Sequence, residues 1–387
     1  MKILFVTRGF PSEEDIMWGN YEAVQAKALA AKGHQVSVVS VHFDSIRHIF
    51  RRTRIIHRVV DRVNVYGCTR ILPSTRFLKL PKWNDRVVIR AYRQIVNRSI
   101  KDMGRPDVVH AHIVSCAAPL AFIIDEYHLP LVITEHWTAM NKEVIPDWLK
   151  KQSFIYHRAD QVICVSQALA DSLYRNFQVS SRVINNMVSN QFFLSKKANR
   201  CDGQFRFIAC GAFRENRNKG FDILVDAFAL AHFPENIQLN IIGDGPDRPF
   251  IEEKIANHGL SEQIHLLGVK TPDEVSEQLC LSDCFVLSSR LETFAIVVIE
   301  AMSKGLPVIA TRSGGPETFL RPEHGLLVDK ENVEQLSDAM KYMIWHNSDY
   351  DSYSIRKFCH SNFSQDIIAD KIIEVYNNVI NDKKVKA

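Results

Sequence analysis

The sequence has no C-x-x-C pair, and its eight cysteines, at positions 68, 116, 164, 201, 210, 280, 284 and 359, are scattered. Several lie in apolar runs, so reduced, buried thiols of a cytoplasmic protein are expected rather than a zinc site or a disulfide framework. No apolar stretch reaches the length needed to cross a bilayer. Lys2 is followed at once by the strand-like Ile3-Leu4-Phe5-Val6, so neither a membrane span nor a secretory leader is expected. Internal repeats and low-complexity segments are also missing, which leaves ordinary globular domains. At 387 residues, 46% apolar and 24% charged, the chain has the length and composition of a soluble protein of two sizeable domains. The net charge of +4 hides a split: residues 1–200 hold 29 Lys and Arg against 16 Asp and Glu, and residues 201–387 hold 19 against 28. Such a split suggests that the first half faces an anionic partner.

Buried strands and amphipathic helices alternate from the start. Residues 3–7 read as a strand, 8–20 as a loop with Gly9, Pro11 and Gly19, 21–32 as a helix that Gly33 ends, and 35–40 as the next strand. This is the opening of an α/β domain with a parallel sheet. Residues 107–112, D-V-V-H-A-H, form a strand ending in His112, and residues 130–136, P-L-V-I-T-E-H, form one ending in Glu135 and His136. In an open α/β sheet such carboxyl ends share the ligand-binding edge. A lone histidine is usually a hydrogen-bonded structural residue, but two strand tips ending this way are harder to dismiss. Asp147 falls in the same part of the chain. The polar stretch 195–203 reads as the linker, with residues 182–186 closing the first domain. The second domain opens with a strand at 205–211 and a cationic loop carrying Arg214, Arg217 and Lys219 before Gly220 and a helix at 221–231. Cations at a strand's carboxyl end suit a diphosphate.

Residues 284–320, CFVLSSRLETFAIVVIEAMSKGLPVIATRSGGPETFL, carry the most information. A short strand at 284–287 leads through a turn into a helix capped by Thr293, with Phe294, Val297, Val298, Ala301 and Met302 at helical spacing; Gly305 stops it and Pro307 leads into a second strand. Glu292 precedes the helix and Glu300 lies two turns inside it. Isolated glutamates here would be a helix-dipole charge and an exposed helix residue. The N–H groups of Phe294 and Ala295 open the helix and suit a phosphate. Carboxylates that accept from hydroxyls, beside an anion-binding helix end, suit a nucleotide sugar.

The E-x7-E pattern of Glu292 and Glu300, followed by G-L-P-V-I-A and S-G-G-P-E, closely resembles the donor site of retaining glycosyltransferases of family 4, which have the GT-B fold. A-x-A-L-A-A-K-G-H-Q-V-S-V-V near the start is similar to the family's opening. The resemblance covers nearly the whole chain. It implies two Rossmann-like α/β domains with parallel sheets facing across a cleft: an acceptor domain over 1–195, a nucleotide-sugar domain over 203–365, and a last helix, about 366–387, packing back on the first domain. The implied activity is hexosyl transfer from a nucleotide-sugar donor with retention, in bacterial surface polysaccharide synthesis. The implied roles are Arg214 and Lys219 at the donor pyrophosphate, Glu300 on the ribose hydroxyls, Glu292 with the amides of Phe294 and Ala295 on the transferred sugar, and His112 at the reaction centre. Gly19 would lie beside the donor phosphates, and Val269 and Lys270 would hold the base through their backbone. His136 matches a position near the acceptor or sugar, and Glu135 would shape acceptor choice. Three departures stand out. A single glycine, Gly19, replaces the usual pair, Asn185-Asn186-Met187-Val188-Ser189 replaces Pro-Asn-Gly-Val-Asp, and Ala295 stands where the family usually has Gly. No cofactor or metal is expected, because no D-x-D lies at the phosphate site.

Residues 45–105 are basic, with Arg47, Arg51, Arg52, Arg54, Arg58, Arg62, Arg76, Lys79, Lys82, Arg86, Arg90 and Arg93 opposed by Asp61, Asp85 and Asp102. Interleaved Ile, Val, Phe and Trp suit peripheral contact with an anionic membrane, on the inner face of the plasma membrane, and equally suit a cradle for a phosphorylated or acidic acceptor. A solvated helix face with a core stripe has the same composition. The expected acceptor is a glycan or a lipid-linked glycan. Nucleic acid is not expected, since no motif for it accompanies the charge. The alternatives at this stage are a nucleotide-sugar epimerase or a sugar phosphorylase on the same fold, and a non-catalytic partner subunit.

Overall fold

The alternation of strands and helices builds two parallel sheets in the computed structural model, which describes residues 1–12, 15, 18–45, 55–72, 81–141, 145–195, 198 and 200–386. The chain divides into two compact units, Met1–Asn185 with Ile368–Ala387, and Asn186–Ile367.

In the first unit, among the described residues, the sheet runs β3-β4-β2-β1-β5-β6-β7-β8: β3 Ile55–Val60, β4 Val63–Leu72, β2 Gln35–Ser45, β1 Lys2–Thr7, β5 Val108–His112, β6 Leu131–Glu135, β7 Gln161–Cys164 and β8 Arg182–Val183. All pairings are parallel except β3 with β4. The central strand β1 is apolar on both faces because helices cover both; Ile3, Leu4, Phe5 and Val6 are fully buried. The register sets Phe5 opposite Val38 and His110, and His112 opposite Thr134, so the tips of β5 and β6 end level. Helix Gln365–Lys386 buries Ile368, Ala369, Ile372, Val375, Tyr376 and Val379 at helical spacing. The Tyr376 hydroxyl meets His110 Nδ1 at 2.5 Å, fastening this C-terminal helix to β5.

In the second unit the described strands run β11-β10-β9-β12-β13-β14, all parallel: β11 Ile264–Leu266, β10 Ile237–Ile242, β9 Phe205–Cys210, β12 Cys284–Leu287, β13 Val308–Thr311 and β14 Gly325–Val328. Phe207, Leu224, Leu239, Ile241, Cys284 and Met340 sit at its core with no exposed surface. Residues 186–195, read from sequence as the end of the first domain, belong to this unit. The reason is local. Phe192 is buried, Lys304 and Ser303 both donate to its carbonyl, and Arg356 donates to the carbonyls of Phe193 and Ser195. The Val188 N–H adds a 2.8 Å bond to the Phe363 carbonyl. All eight cysteines are free; six are buried, Cys210 is partly buried and Cys201 is exposed.

Candidate active site

The carboxyl ends of β9 and β12 carry two loops that are sewn together. Gly220 has φ +63°, and a Cβ there would come within 2.0 Å of the Ser288 carbonyl oxygen, so only glycine lets the β9 loop close on the end of β12. Ser288 Oγ donates to the Lys219 carbonyl at 2.9 Å, the Arg290 N–H to the Asn218 carbonyl at 2.8 Å, and Asn218 Nδ2 to the Leu291 carbonyl at 2.8 Å. The Arg290 guanidinium forks onto Asp222 with two 2.8 Å bonds and also reaches the Arg217 carbonyl and Glu331. Burial alone would raise the Asp222 carboxyl, but Arg290 outweighs it and holds it below the usual range. These partners make a rigid frame for Lys219 and Glu292.

Lys219 Nζ lies 2.7 Å from Glu292 Oε1, with the acid side chain 8% exposed and the lysine 26%. Ser289 Oγ donates to the same Oε1 at 2.7 Å, and the Glu292 N–H donates to the Ser313 carbonyl at 2.8 Å. Glu292, expected to be open toward a ligand, is therefore already partnered. Arg214 is exposed and, among the described residues, has no ion pair; its carbonyl accepts from the Arg217 N–H at 2.7 Å. The helix after Glu292 spans Ile296–Met302, shorter than the sequence pattern suggests. Thr293 does not cap it. Ala295 takes that place with φ +70° and ψ +66°, the left-handed region, and supplies no side-chain cap. Glu300 thus lies one turn in rather than two. Its surface is partly open, yet burial of its carboxyl pushes the pKa up to about 7. The Cys210 thiol at the end of β9 is pushed up to about 12, first by burial and then by Glu300, with Lys219 acting the other way. Both groups are therefore close to the tip of β9. Val269 is 62% exposed just past Gly268, whose carbonyl accepts from the Gly243 N–H at 2.9 Å. Lys270 pairs with Glu274 at 3.2 Å.

Gly19 and His112 belong to the first unit. Gly19 precedes helix Asn20–Ala31 with φ +74°, and a Cβ there would lie 2.2 Å from the Gly9 carbonyl oxygen. His112 is 3% exposed at the tip of β5, with its Nδ1 3.4 Å from His136 Nε2. Its Nε2 is buried and has no hydrogen-bond partner. Desolvation, reinforced by His110, holds its pKa well below the ordinary value, so the ring is neutral. His110, by contrast, is fully satisfied by Tyr376 and by Thr134 Oγ1 at 2.7 Å, and burial lowers it to about 3.

Glu135 departs from its expected role. It is fully buried, and its oxygens accept from the N–H groups of Val114 (3.1 Å), His136 (3.2 Å) and Trp137 (3.0 Å) and from the Tyr156 hydroxyl (2.7 Å). It braces the end of β6 and leaves no oxygen for an acceptor. Asp147 opens helix Asp147–Gln152 with its side chain 90% exposed. Of the basic residues, Arg47, Arg51, Arg52, Arg54, Arg76 and Lys79 lie outside the described residues. Arg58 does not face outward: it donates to the Pro11 carbonyl and lies 5.9 Å over the Phe10 ring. No helix among the described residues is long and apolar enough to cross a membrane.

Sequence reasoning missed Ser289, Asn218, Arg290 and Asp222. Isolated polar residues carry no periodic signal, and Asn218, Arg290 and Asp222 find their partners 68 to 73 positions away in the chain.

Residues 21–192 match the model of Glycosyltransferase Family 4, and residues 190–357 match that of Glycosyl transferases group 1. The chain is 29% identical to glycosyltransferase MJ1178 of Methanocaldococcus jannaschii over 66% of its length and 70% of that protein. It is 25% identical to the putative teichuronic acid biosynthesis glycosyltransferase TuaC of Bacillus subtilis over 88% of each. Across the first curated relatives it matches, the aligned stretches span 58% to 88% of their length. Among solved structures, sucrose-phosphate synthase from Thermosynechococcus elongatus superimposes with a TM-score of 0.80 at 19% identity, over 98% of this chain and 99% of that one. Anabaena HepE in complex with UDP and glucose gives a TM-score of 0.72 at 19% identity, over 97% and 99%. These neighbours share the two parallel-sheet α/β units of the GT-B fold; the two family models together span residues 21–357, and the chain belongs to the family 4 glycosyltransferases.

Proposed function

We propose that this glycosyltransferase moves a hexosyl sugar from a nucleotide-sugar donor to a glycan or lipid-linked acceptor, with retention at the anomeric carbon, in the synthesis of a bacterial surface polysaccharide. The observation that carries the donor reading is the Lys219–Glu292 pair, held between two fastened loops beside the protonatable Glu300. A diphosphate would draw Lys219 and the unpaired Arg214 and leave Glu292 to accept from sugar hydroxyls. Glu300 would accept from the ribose hydroxyls, with Phe294, Ala295 and Val269 contributing backbone and Gly19 allowing close approach. His112, neutral and with an unfilled Nε2, would orient the sugar at the reaction centre.

In the reaction, the acceptor oxygen bonds to the anomeric carbon on the face from which the diphosphate departs. The carbon–oxygen bond to the diphosphate breaks, and the hydroxyl proton passes to the departing phosphate oxygen. Arg214 and Lys219 offset the charge that develops there. No metal or cofactor is needed for this scheme. HepE, solved with UDP and glucose, and TuaC, named for teichuronic acid biosynthesis, support the donor class and the pathway class. The lipid-linked acceptor rests on the basic composition of residues 45–105.

A thermal-shift screen with UDP, GDP, ADP and their sugar conjugates tests the donor site, because a ligand bound only by the native state raises the midpoint. A selective rise with one nucleotide is expected, followed by a product with retained anomeric configuration by NMR. Absence of any shift, nucleotide release without an acceptor, or transfer to phosphate would overturn the proposal; the last two would favour an epimerase or a phosphorylase.

A further inference from the structure

The carboxyl edge of the first sheet has groups that the donor chemistry does not use. Arg8 follows β1 and is exposed. Its guanidinium carbon lies 5.7 Å from the centre of the Trp18 ring and 5.8 Å from that of Trp137. Trp18 is fixed in turn by its Nε1–H, which donates to the Arg8 carbonyl at 3.1 Å. Trp137 packs against Trp148 with ring centres 4.8 Å apart, and Trp18 and Trp148 keep 42% and 41% of their surface open. Among the described residues no carboxylate pairs with Arg8. A guanidinium held on aromatic faces is partly dehydrated and fixed in direction, while its N–H fork stays available for a carboxylate or a phosphate.

Glu22, in the first turn of helix Asn20–Ala31, is 3% exposed, and its Oε1 has no hydrogen-bond partner. Among the described residues, His136 Nε2 lies 3.9 Å from this oxygen, beyond hydrogen-bond reach. Arg8 and Glu22 both act on the buried Cys116 thiol, and Arg8 acts on His112, which places the cation, the acid and the histidines in one neighbourhood. A buried carboxylate oxygen without a donor calls for an explanation, and a ligand hydroxyl at this spot would supply one. The neighbourhood therefore offers an acceptor for hydroxyls, a fork for an anion and aromatic faces suited to the C–H side of a sugar ring.

We propose that this edge is the acceptor subsite and that it takes an anionic saccharide, with Arg8 on the acidic group, Glu22 on a ring hydroxyl and the Trp137–Trp148 pair under the ring. This deepens the transferase reading and rests on it for the word acceptor. The sugar acid and the sugar phosphate share the required chemistry.

The test uses the full chain without nucleotide. Tryptophan fluorescence is titrated with glucuronate, glucose 6-phosphate, glucose and inorganic phosphate. One of the two anionic sugars should bind at least about tenfold more tightly than glucose, the size of one good charge-assisted contact, and the preference should fall as salt rises. Which of the two wins identifies the anion. Arg8→Gln should erase the preference for the anionic sugar. Glu22→Gln should weaken that sugar and glucose alike, and the nucleotide-induced thermal shift of wild type should persist in both variants, showing them folded. Glucose binding as tightly as both anionic sugars, inorganic phosphate matching the sugar phosphate, or a full preference in Arg8→Gln would overturn the proposal. Loss of the nucleotide shift together with sugar binding would overturn a separate subsite at Arg8. Failure of wild type to bind any nucleotide would count against the donor reading instead, so the two failures are distinguishable.

Discussion

The raised Glu300 carboxyl tests both its burial and the proposed ribose contact. Burial pushes its carboxyl up to about 7 from the ordinary 4.5. Between those values the folded protein keeps a proton that the unfolded chain has released. The raised pKa therefore favours folding most fully below about pH 4.5, and that advantage is lost as pH rises through about 7. The displacement corresponds to about 3 kcal/mol at roughly 1.4 kcal/mol per unit; the open part of the residue's surface discounts this to about 2 kcal/mol. Glu300→Gln cannot ionise and escapes the loss. Near pH 4.5 variant and wild type should unfold at similar temperatures. At pH 8 the variant should melt about 4–8 °C higher, given about 2–4 °C per kcal/mol for a unit of this size. If Glu300 holds the ribose as proposed, a bound nucleotide should reverse the ranking, because hydroxyls that donate to the carboxylate favour its ionised form. Nucleotide affinity of wild type should then fall as pH drops below about 7, by up to about tenfold per unit, and the variant should show almost no nucleotide shift. Scanning calorimetry from pH 4.5 to 8.5, with and without nucleotide, reads both effects. A gap between the proteins that does not change with pH would refute the burial argument, and a flat affinity from pH 5 to 8 would refute the ribose contact.

Ala295 sits at φ +70°, where a side chain costs about 1–2 kcal/mol and glycine's extra chain entropy takes back about 0.5–1 kcal/mol. Ala295→Gly should leave the melting temperature of the second unit unchanged or raise it by up to about 6 °C, and a drop would show that the alanine methyl makes contacts worth more than its strain. Lys219→Ala should cut nucleotide affinity and transfer by at least about tenfold; near-full activity would remove Lys219 from the donor site. Glu135→Gln keeps the shape but turns one accepting oxygen into a donor facing N–H or O–H groups, so about 2–4 kcal/mol of first-unit stability should be lost in urea titrations. A loss under about 0.5 kcal/mol would mean that its four hydrogen bonds are readily replaced.

The architecture was legible because both sheets are covered on both faces, so each central strand is a short continuous apolar run: Ile3 to Val6, and Cys284 to Leu287, whose bounds agree with the structure. The His112 and His136 tips were legible for the same reason, since strands in parallel register end at one edge, and the two rings do meet. The start of the helix before Glu300 was not. Thr293 has capping chemistry, but a left-handed residue at Ala295 sets the first turn, and tertiary packing decides that conformation. Glu135 was misread because a carboxylate at a strand's carboxyl end looks like a ligand group. Only its encirclement by three N–H groups and Tyr156, from positions up to 21 residues away, makes it structural. Residues 186–195 were assigned to the first domain because the polar stretch 195–203 was read as the linker, whereas Lys304 and Arg356 hold this segment to the second unit through its backbone carbonyls, which leave no trace in the sequence.

What remains unsettled in the isolated chain is charge rather than shape. Arg290 is satisfied by Asp222 and Glu331, Glu135 by four donors and His110 by two partners, so these polar groups gain nothing from a ligand. Glu300 is held toward its neutral form, Lys219 is spent on Glu292, Arg214 has no ion pair among the described residues, and His112 Nε2 and Glu22 Oε1 are buried without a hydrogen-bond partner. Under the proposed function, a nucleotide sugar would answer the second-unit groups with ribose hydroxyls for Glu300, the diphosphate for Lys219 and Arg214, and sugar hydroxyls for the Glu292 that Lys219 would release. Because the two fastened loops already hold Lys219 and Glu292 in place, little backbone reorganisation should accompany binding. On this proposal, a ligand lacking diphosphate or hydroxyls would leave at least one of these groups unmatched, which would favour the nucleotide sugar over it.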